Sequence, residues 1–122
     1  MICFMVAQII IRNIKYKVLL ATKIQEWKDG LKRARFDLVD GLLMVFENDR
    51  KVNITMIGMS CAIDILWIDA NKNIIKIEEK LSLFDKNNQP NRIEGVLCRY
   101  VVELKAGEVE KNNFLLKDKL KF

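Results

Sequence analysis

The sequence contains no histidine. Histidine is the usual general base near neutral pH and the commonest zinc ligand, so its absence excludes the usual nucleophile–histidine sites and most zinc enzymes. No glycine-rich loop of the kind that binds phosphate groups is present either. We therefore expect neither a metal nor another cofactor, and any catalysis would depend on carboxylates.

Cysteine is scarce as well, with Cys3, Cys61 and Cys98 forming an odd set that lacks metal-ligand spacing. Without a histidine partner these thiols cannot act in the manner of papain. We expect all three to be small buried hydrophobic residues in a reducing compartment.

Proline occurs once and glycine five times in 122 residues, which leaves little material for long linkers. We predict a single domain over residues 1–122. No apolar run is long enough to span a bilayer. Residues 1–11 are apolar but lack the flanking features of a signal peptide, so a cytoplasmic protein without a membrane partner is expected.

The formal net charge is +5, and the lysines are scattered among 16 acidic residues along the whole chain. A nucleic-acid-binding protein more often shows a clustered basic stripe with aromatic residues between. The pattern therefore predicts a solvated surface and no nucleic-acid partner. Exposed strand edges would allow a monomer or a weak homodimer.

Alternating and β-branched residues predict about seven strands, with residues 1–11 as a further strand or an apolar arm. The predicted strands are residues 14–20, 42–46, 52–56, 62–68, 74–79, 95–104 and 114–120. Thr22 and Gln25 fit a capping box at the start of a short helix over residues 23–33, and a second helical turn is expected over residues 106–113. This pattern favours a mainly-β, single-domain β-sandwich or jelly-roll-like barrel with one or two short helices.

Asp64 interrupts the apolar strand at the centre of the chain, on the same face as Leu66. A buried carboxylate without partners is costly. We expect Asp64 to accept hydrogen bonds from backbone N–H groups or to pair with Arg35 or Arg99. Three roles remain open for Asp64. It is a structural carboxylate, a ligand-binding or catalytic group, or a simple exposed residue. Asp69 is expected to begin the hairpin turn that follows.

Four segments and one acid resemble the Domain of Unknown Function 192 family, small uncharacterised β-sandwich proteins of archaea and bacteria. The segments are residues 30–35, 41–46, 56–69 and 100–107, and the acid is Asp118. The order and spacing of these pieces carry the resemblance, which spans residues 15–120. It implies a compact β-sandwich of jelly-roll type and supplies no activity.

The sequence departs from the family pattern at several positions. Ala62 replaces the proline that many members have before the aspartate. Lys105 and Lys117 stand where proline and glycine are usual. A Lys-Asn-Thr segment common in the family is absent, so a polar site built on it cannot be carried over. Residues 56–59 look closer to a methionine-rich branch.

Two groups of residues remain as candidate sites. Asp64 could form a carboxylate pair with Glu103 or with Asp118, which is the arrangement that acid–base hydrolysis requires. Met44, Met56, Met59 and Trp67 could line an apolar groove, because methionine adapts to varied surfaces, although core packing is the alternative.

We carry two functional hypotheses. The first is a non-enzymatic module that binds a small molecule or a peptide. The second is a small hydrolase-like enzyme with paired carboxylates. The candidate ligand-binding residues are Arg35, Met56, Met59, Asp64, Arg99 and Glu103.

Overall fold

The computed structural model of the chain describes residues 5–23, 26 and 36–122. The strands are β1 Met5–Ile11, β2 Ile14–Ala21, β3 Gly41–Lys51, β4 Ile54–Thr55, β5 Ile63–Ile68, β6 Ile74–Leu81, β7 Arg92–Ile93, β8 Leu97–Lys105 and β9 Leu120–Lys121. A short helix, α1 Glu108–Asn112, lies between β8 and β9. The prediction of a mainly-β fold with a short helix is confirmed.

Seven strands form one sheet in the order β6-β5-β8-β3-β2-β1-β9, and β4 pairs with β7 in a separate ribbon. All neighbours are antiparallel except β2 and β3, which run parallel with Leu19 opposite Leu42. A parallel pair needs a crossover connection, and the segment between β2 and β3 supplies it. The large sheet curls into a half-barrel.

Strand alternation gives the sheet two apolar faces. One face, which we call the interior core, faces into the curl. Its buried residues are Ile9, Ile11, Tyr16, Val18, Leu43, Leu66, Ile68, Ile74, Val102, Leu104, Val109, Phe114 and Leu120. The opposite face, which we call the outer face, carries a second cluster. Its buried residues are Ala21, Leu42, Met44, Phe46, Ile54, Met56, Ile63, Ile65, Trp67, Leu81, Cys98 and Val101.

The two edges of the sheet meet at one end of the half-barrel. The Ile74 N–H donates to the Asp118 carbonyl at 2.9 Å, and the Lys117 N–H donates to the Ile74 carbonyl at 2.8 Å. The Leu120 N–H donates to the Lys72 carbonyl at 2.8 Å. These bonds join the start of β6 to the segment before β9, so the backbone groups that an edge would leave unpaired are satisfied here.

Trp67 links the sheet to the segment that leads into the β4–β7 ribbon. Its indole Nε1–H donates to the Val52 carbonyl at 2.8 Å. Gly95 lies against this bond, since a Cβ atom at that position would stand 1.7 Å from the Val52 oxygen and 2.5 Å from Trp67 Nε1. Glycine is therefore required at position 95 for close packing.

Two predicted strands are shorter in the structure than expected. Over residues 52–56 only β4 pairs, because Asn53 turns to accept the Gly95 N–H at 2.9 Å. Over residues 114–120 only Leu120 belongs to a strand, since Lys117 has a φ of 73° and a turn closes between Leu115 and Asp118. The left-handed backbone at Lys117 is a conformation that glycine adopts without a Cβ penalty.

The predicted helix over residues 23–33 lies almost entirely outside the described residues, as does Gln25 of the expected capping box. Within the described part, the Glu26 carboxylate accepts the Thr22 and Lys23 N–H groups at 3.0 and 3.1 Å. This capping holds the pKa of Glu26 below its usual range.

The cysteines were predicted to be buried and inert. Cys98 is buried, and this burial raises the pKa of its thiol to about 11. Cys61 is half-buried, and Cys3 lies outside the described residues. Among the described residues, no helix combines the length and the apolarity that crossing a membrane requires.

Candidate functional site

The Asp64 carboxylate is fully buried and lies at the end of the interior core next to α1. Its Oδ2 accepts the N–H groups of Gly107 and Val109 at 3.1 and 2.9 Å, and its Oδ1 accepts the N–H of Lys80 at 2.8 Å. Asp64 thus supplies from β5 the acceptor that the first turn of α1 lacks. The predicted backbone hydrogen bonds to Asp64 are present.

Local backbone geometry brings these donors to Asp64. The β5–β6 pairing shifts by one residue between Ile63 and Ile65, and Lys80 in that irregularity has a φ of 52°. A bulge turns a backbone group out of the ladder, which here directs the Lys80 N–H toward the carboxylate. Gly107 has a φ of 99°, a conformation that glycine adopts without a Cβ penalty.

Of the two arginine partners expected for Asp64, Arg99 needs correction. Arg99 Nε lies 3.0 Å from Asp49 Oδ1, so this guanidinium pairs with an acid of β3. Arg35 lies outside the described residues. Because the carboxylate is sealed and bonded to three backbone donors, Asp64 orders α1 and offers no surface for a ligand. The interpretation of Asp64 as a structural carboxylate is the one that this geometry supports.

Glu103 is the second buried acid, and its surroundings differ from those of Asp64. The residue is 4% exposed, and burial raises the pKa of its carboxyl to about 7. No described residue donates a hydrogen bond to this carboxyl, and since no fully buried side-chain oxygen among the described residues lacks a partner, its oxygens keep a small contact with solvent. Burial without compensation shifts the pKa of an acid, and acids with shifted pKa values are found preferentially at functional sites.

Glu103 lies at the centre of an apolar grid on the outer face. Leu42 of β3 and Ile65 of β5 are its direct cross-strand neighbours. The next row along the strands consists of Met44, Val101 and Trp67. Every one of these neighbours is buried and apolar.

On the opposite side of Glu103 the grid opens toward Lys105. This exposed residue follows Glu103 on the same face of β8. Its ammonium group stands 5.6 Å from the centre of the Phe36 ring, so it contacts an aromatic residue as well as solvent. At this end the apolar neighbours of Glu103 therefore give way to one charged and one aromatic side chain.

The two buried acids cannot form a carboxylate pair. In the β5–β8 ladder Asp64 lies opposite Leu104 and Glu103 lies opposite Ile65. Leu104 belongs to the interior core and Ile65 to the outer face, so the carboxyl groups point to opposite sides of the sheet.

Asp118 is not a partner for Asp64 either. The Asp118 carboxylate accepts Arg12 Nε at 2.7 Å and the Leu115 N–H at 2.8 Å. Its backbone bonds Ile74, which pairs with Ile68 at the far end of β5 from Asp64. Neither predicted pair is formed.

The methionines were predicted to line a groove or to pack in the core. Met44 and Met56 are buried in the outer cluster, at 7% and 2% exposure, and Met59 packs half-buried against it. Met56 is held by its own N–H, which donates to the Asn91 carbonyl at 2.8 Å. The three methionines and Glu103 therefore belong to the same face of the sheet.

In the sequence Asp64 is the more conspicuous acid, and Glu103 enters only as its possible partner. The available signal was local: Glu103 interrupts the apolar run of residues 101–104 and shares its parity with Val101. That signal predicts a buried acid but does not identify the strands that lie beside it. Among the described residues, no group of three or more potential metal-ligating acids and cysteines converges.

The comparisons with known proteins agree with the fold. The model of the DUF192 family, described as an uncharacterized ACR, matches residues 7–122. No curated protein matches the chain.

Two solved structures resemble this one along nearly the whole chain. A proposed transcription regulator from Sinorhizobium meliloti is similar with a TM-score of 0.81 and 22% identity, covering 99% of this chain and 96% of that one. A protein of unknown function from Novosphingobium aromaticivorans gives a TM-score of 0.76 and 15% identity, covering 98% of this chain and 85% of that one. At these identities the likeness shows the fold alone.

Proposed function

Since the chain belongs to the DUF192 family, which is uncharacterised, we infer its function from geometry and propose that it is a non-enzymatic module that binds a small molecule or a peptide side chain on the outer face beside Glu103. The observation that carries the proposal is the Glu103 carboxyl, which is buried among apolar neighbours and receives no hydrogen bond from a described residue.

The ligand chemistry follows from these surroundings. A carboxyl group in an apolar site is stabilised by a group that donates a hydrogen bond or carries positive charge. The neighbouring methionines adapt their side chains to an apolar body of irregular shape. We therefore expect a ligand with an apolar part and a single amine or other donor, placed so that the donor reaches Glu103.

The hydrolase alternative is less well supported. Two-carboxylate hydrolysis needs both acids within one site, flanking the bond that breaks. Asp64 and Glu103 lie on opposite faces, and the Asp64 oxygens are occupied by backbone donors. A single buried acid supports binding, so the non-enzymatic module is the function that we propose.

The test uses methyl NMR of the methionines with three probes of equal chain length: a primary alkylamine, the matching alcohol and the matching carboxylate. We expect the amine to shift the methyl signals of Met44, Met56 and Met59 most strongly. Met5, which is 71% exposed on β1, serves as the internal control. The Glu103→Gln variant should lose the preference for the amine while keeping the weaker response to the alcohol.

Absence of any probe-dependent shift at the three methionines would rule out an accessible site on the outer face. Equal responses of Glu103→Gln and the unchanged protein would remove Glu103 from the site. In either case the buried acid would have only a structural role.

A further inference from the structure

Leu115 and Leu116 form an exposed apolar pair in the loop between α1 and β9. The side chains of both leucines are 57% exposed, although Phe114 before them and Leu120 after them are buried. Isolated exposed leucines are ordinary, whereas adjacent ones at a loop tip mark a surface that something covers.

The loop that carries the pair is held in place on both sides. Phe114 before it is buried, with its ring edge-on to Tyr16 at a centroid distance of 6.2 Å. After it, Leu120 is buried in the interior core, and the Lys117 N–H bonds the Ile74 carbonyl. The Leu115 N–H is bonded by the Asp118 carboxylate at 2.8 Å. The fold thus presents the two leucines outward on an anchored turn.

Basic side chains surround this turn, and they come from three parts of the chain. Lys117 follows the leucines directly, and Lys119 bridges to the β5–β6 turn that contains Lys72. Arg12 of the β1–β2 turn reaches Asp118 at 2.7 Å. On the outer side of the adjoining strands, Lys15 and Lys121 flank Ile10 in register.

The acids near this loop are Asp69, Asp118, Glu108 and Glu110, which are fewer than the basic side chains around it, and Glu110 pairs with Lys80. Asp118 is paired with Arg12 and caps Leu115, and this pairing holds the pKa of Asp118 below its usual range. Asp69 accepts the N–H groups of Asn71 and Asn73 in its own turn. Strands β1, β2 and β9 contain no acidic residue. Folding therefore gathers lysines that are scattered in the sequence into a positive rim around the leucine pair.

We propose that this end of the half-barrel docks on an anionic lipid surface, with Leu115 and Leu116 inserted between headgroups and the lysine rim held by the lipid charge. An apolar tip with a basic surround matches the interface of a bilayer, where burial and electrostatic attraction act together. A nucleic acid would use the lysines but would leave the two leucines in water. The site is separate from the proposed ligand site on the outer face.

The test is co-sedimentation of the full chain with vesicles of phosphatidylcholine alone or mixed with phosphatidylglycerol. We expect binding to the mixed vesicles, weakening as salt is raised, and little binding to neutral ones. The double substitution Leu115→Ser/Leu116→Ser should reduce the partition coefficient by roughly ten-fold or more. Leu38→Ser, at a position 64% exposed in the turn before β3, should leave it unchanged.

A second pair of variants tests the charge. Lys119→Gln should weaken binding to the anionic vesicles, whereas Lys86→Gln in the loop after β6 should not. The proposal is overturned if the unchanged protein ignores both kinds of vesicle, if it binds neutral vesicles equally well, or if the double leucine variant binds as tightly. Duplex DNA binding that is indifferent to the leucines would identify a polyanion surface instead and would equally overturn it.

Discussion

Asp64 and Glu103 lie on adjacent strands one register step apart, yet their carboxyl groups stand on opposite sides of the same sheet. The first is bonded to three backbone N–H groups, and the second has only apolar cross-strand neighbours. One acid therefore orders the fold, and the other is the group on which the proposed ligand site rests. This division has consequences that stability and pH measurements can separate.

Asp64→Asn should lower the free energy of unfolding by roughly 1–3 kcal/mol, because an amide replaces one acceptor oxygen with a donor facing backbone N–H groups. The measurement is denaturant unfolding at neutral pH. Glu79→Gln, an exposed acid on β6, is the matched control and should change little. Unchanged stability of Asp64→Asn would contradict the assignment of Asp64 as the residue that orders α1.

Glu103→Gln should become more stable than the unchanged protein as the pH rises. Folding raises the pKa of the Glu103 carboxyl from 4.5 to about 7, so the folded state binds the proton more tightly than the unfolded state does. Stability from this group is present below pH 4.5 and is lost as the pH rises toward 7, after which the loss is constant. The full difference corresponds to ~3 kcal/mol.

The quantity to compare is the difference in unfolding free energy between Glu103→Gln and the unchanged protein across that pH range. Taking the difference cancels the titration of the other carboxyls. A difference that does not vary between pH 4.5 and pH 7 would show that the Glu103 carboxyl is not desolvated.

Gly95→Ala should destabilise the protein by about 2–4 kcal/mol, because the added methyl group would overlap the Val52 carbonyl and displace the Trp67 indole. The loss of the Trp67–Val52 hydrogen bond should also shift tryptophan emission. Gly107→Ala gives a useful comparison: a Cβ at Gly107 meets nothing within 4 Å, so only its φ of 99° opposes alanine. Its cost should be smaller, on the order of 1 kcal/mol. Equal and negligible effects of both changes would be inconsistent with the packing described.

Lys117→Gly should stabilise the protein by up to about 1 kcal/mol, since glycine relieves the left-handed backbone at a φ of 73°. The gain is reduced by the greater freedom of glycine in the unfolded chain. Lys119→Gly, which lies outside the positive-φ residues, is the control and should destabilise. Thermal unfolding of the two variants, run together, would decide the sign.

Local pattern in the sequence was sufficient for much of the fold. The alternation of residues 14–20 predicted β2, and the apolar run of residues 62–68 predicted β5. Asp69 begins the following turn as expected, accepting the Asn71 N–H at 2.9 Å. These features depend on neighbours in the chain, which is why they are readable from it.

Features that depend on distant segments were not predictable. The parallel pairing of β2 with β3 and the opposite facing of Asp64 and Glu103 follow from strand order and register. The lysines are dispersed along the sequence, and the sequence alone does not show which turns lie together in the fold. The positive φ at Lys117 was not predictable either, because the turn is held by hydrogen bonds to Ile74, a residue distant in the sequence.

The hydrogen bonds between Ile74 and the residues around Asp118 also set an order of events during synthesis. Until residues 117–120 have emerged from the ribosome, β1 and β6 both present unpaired backbone to other nascent chains. Arrival of this late segment pairs the end of β1 and the start of β6 in a single step. A ribosome-stalled chain ending before residue 117 should therefore be the form most dependent on chaperones.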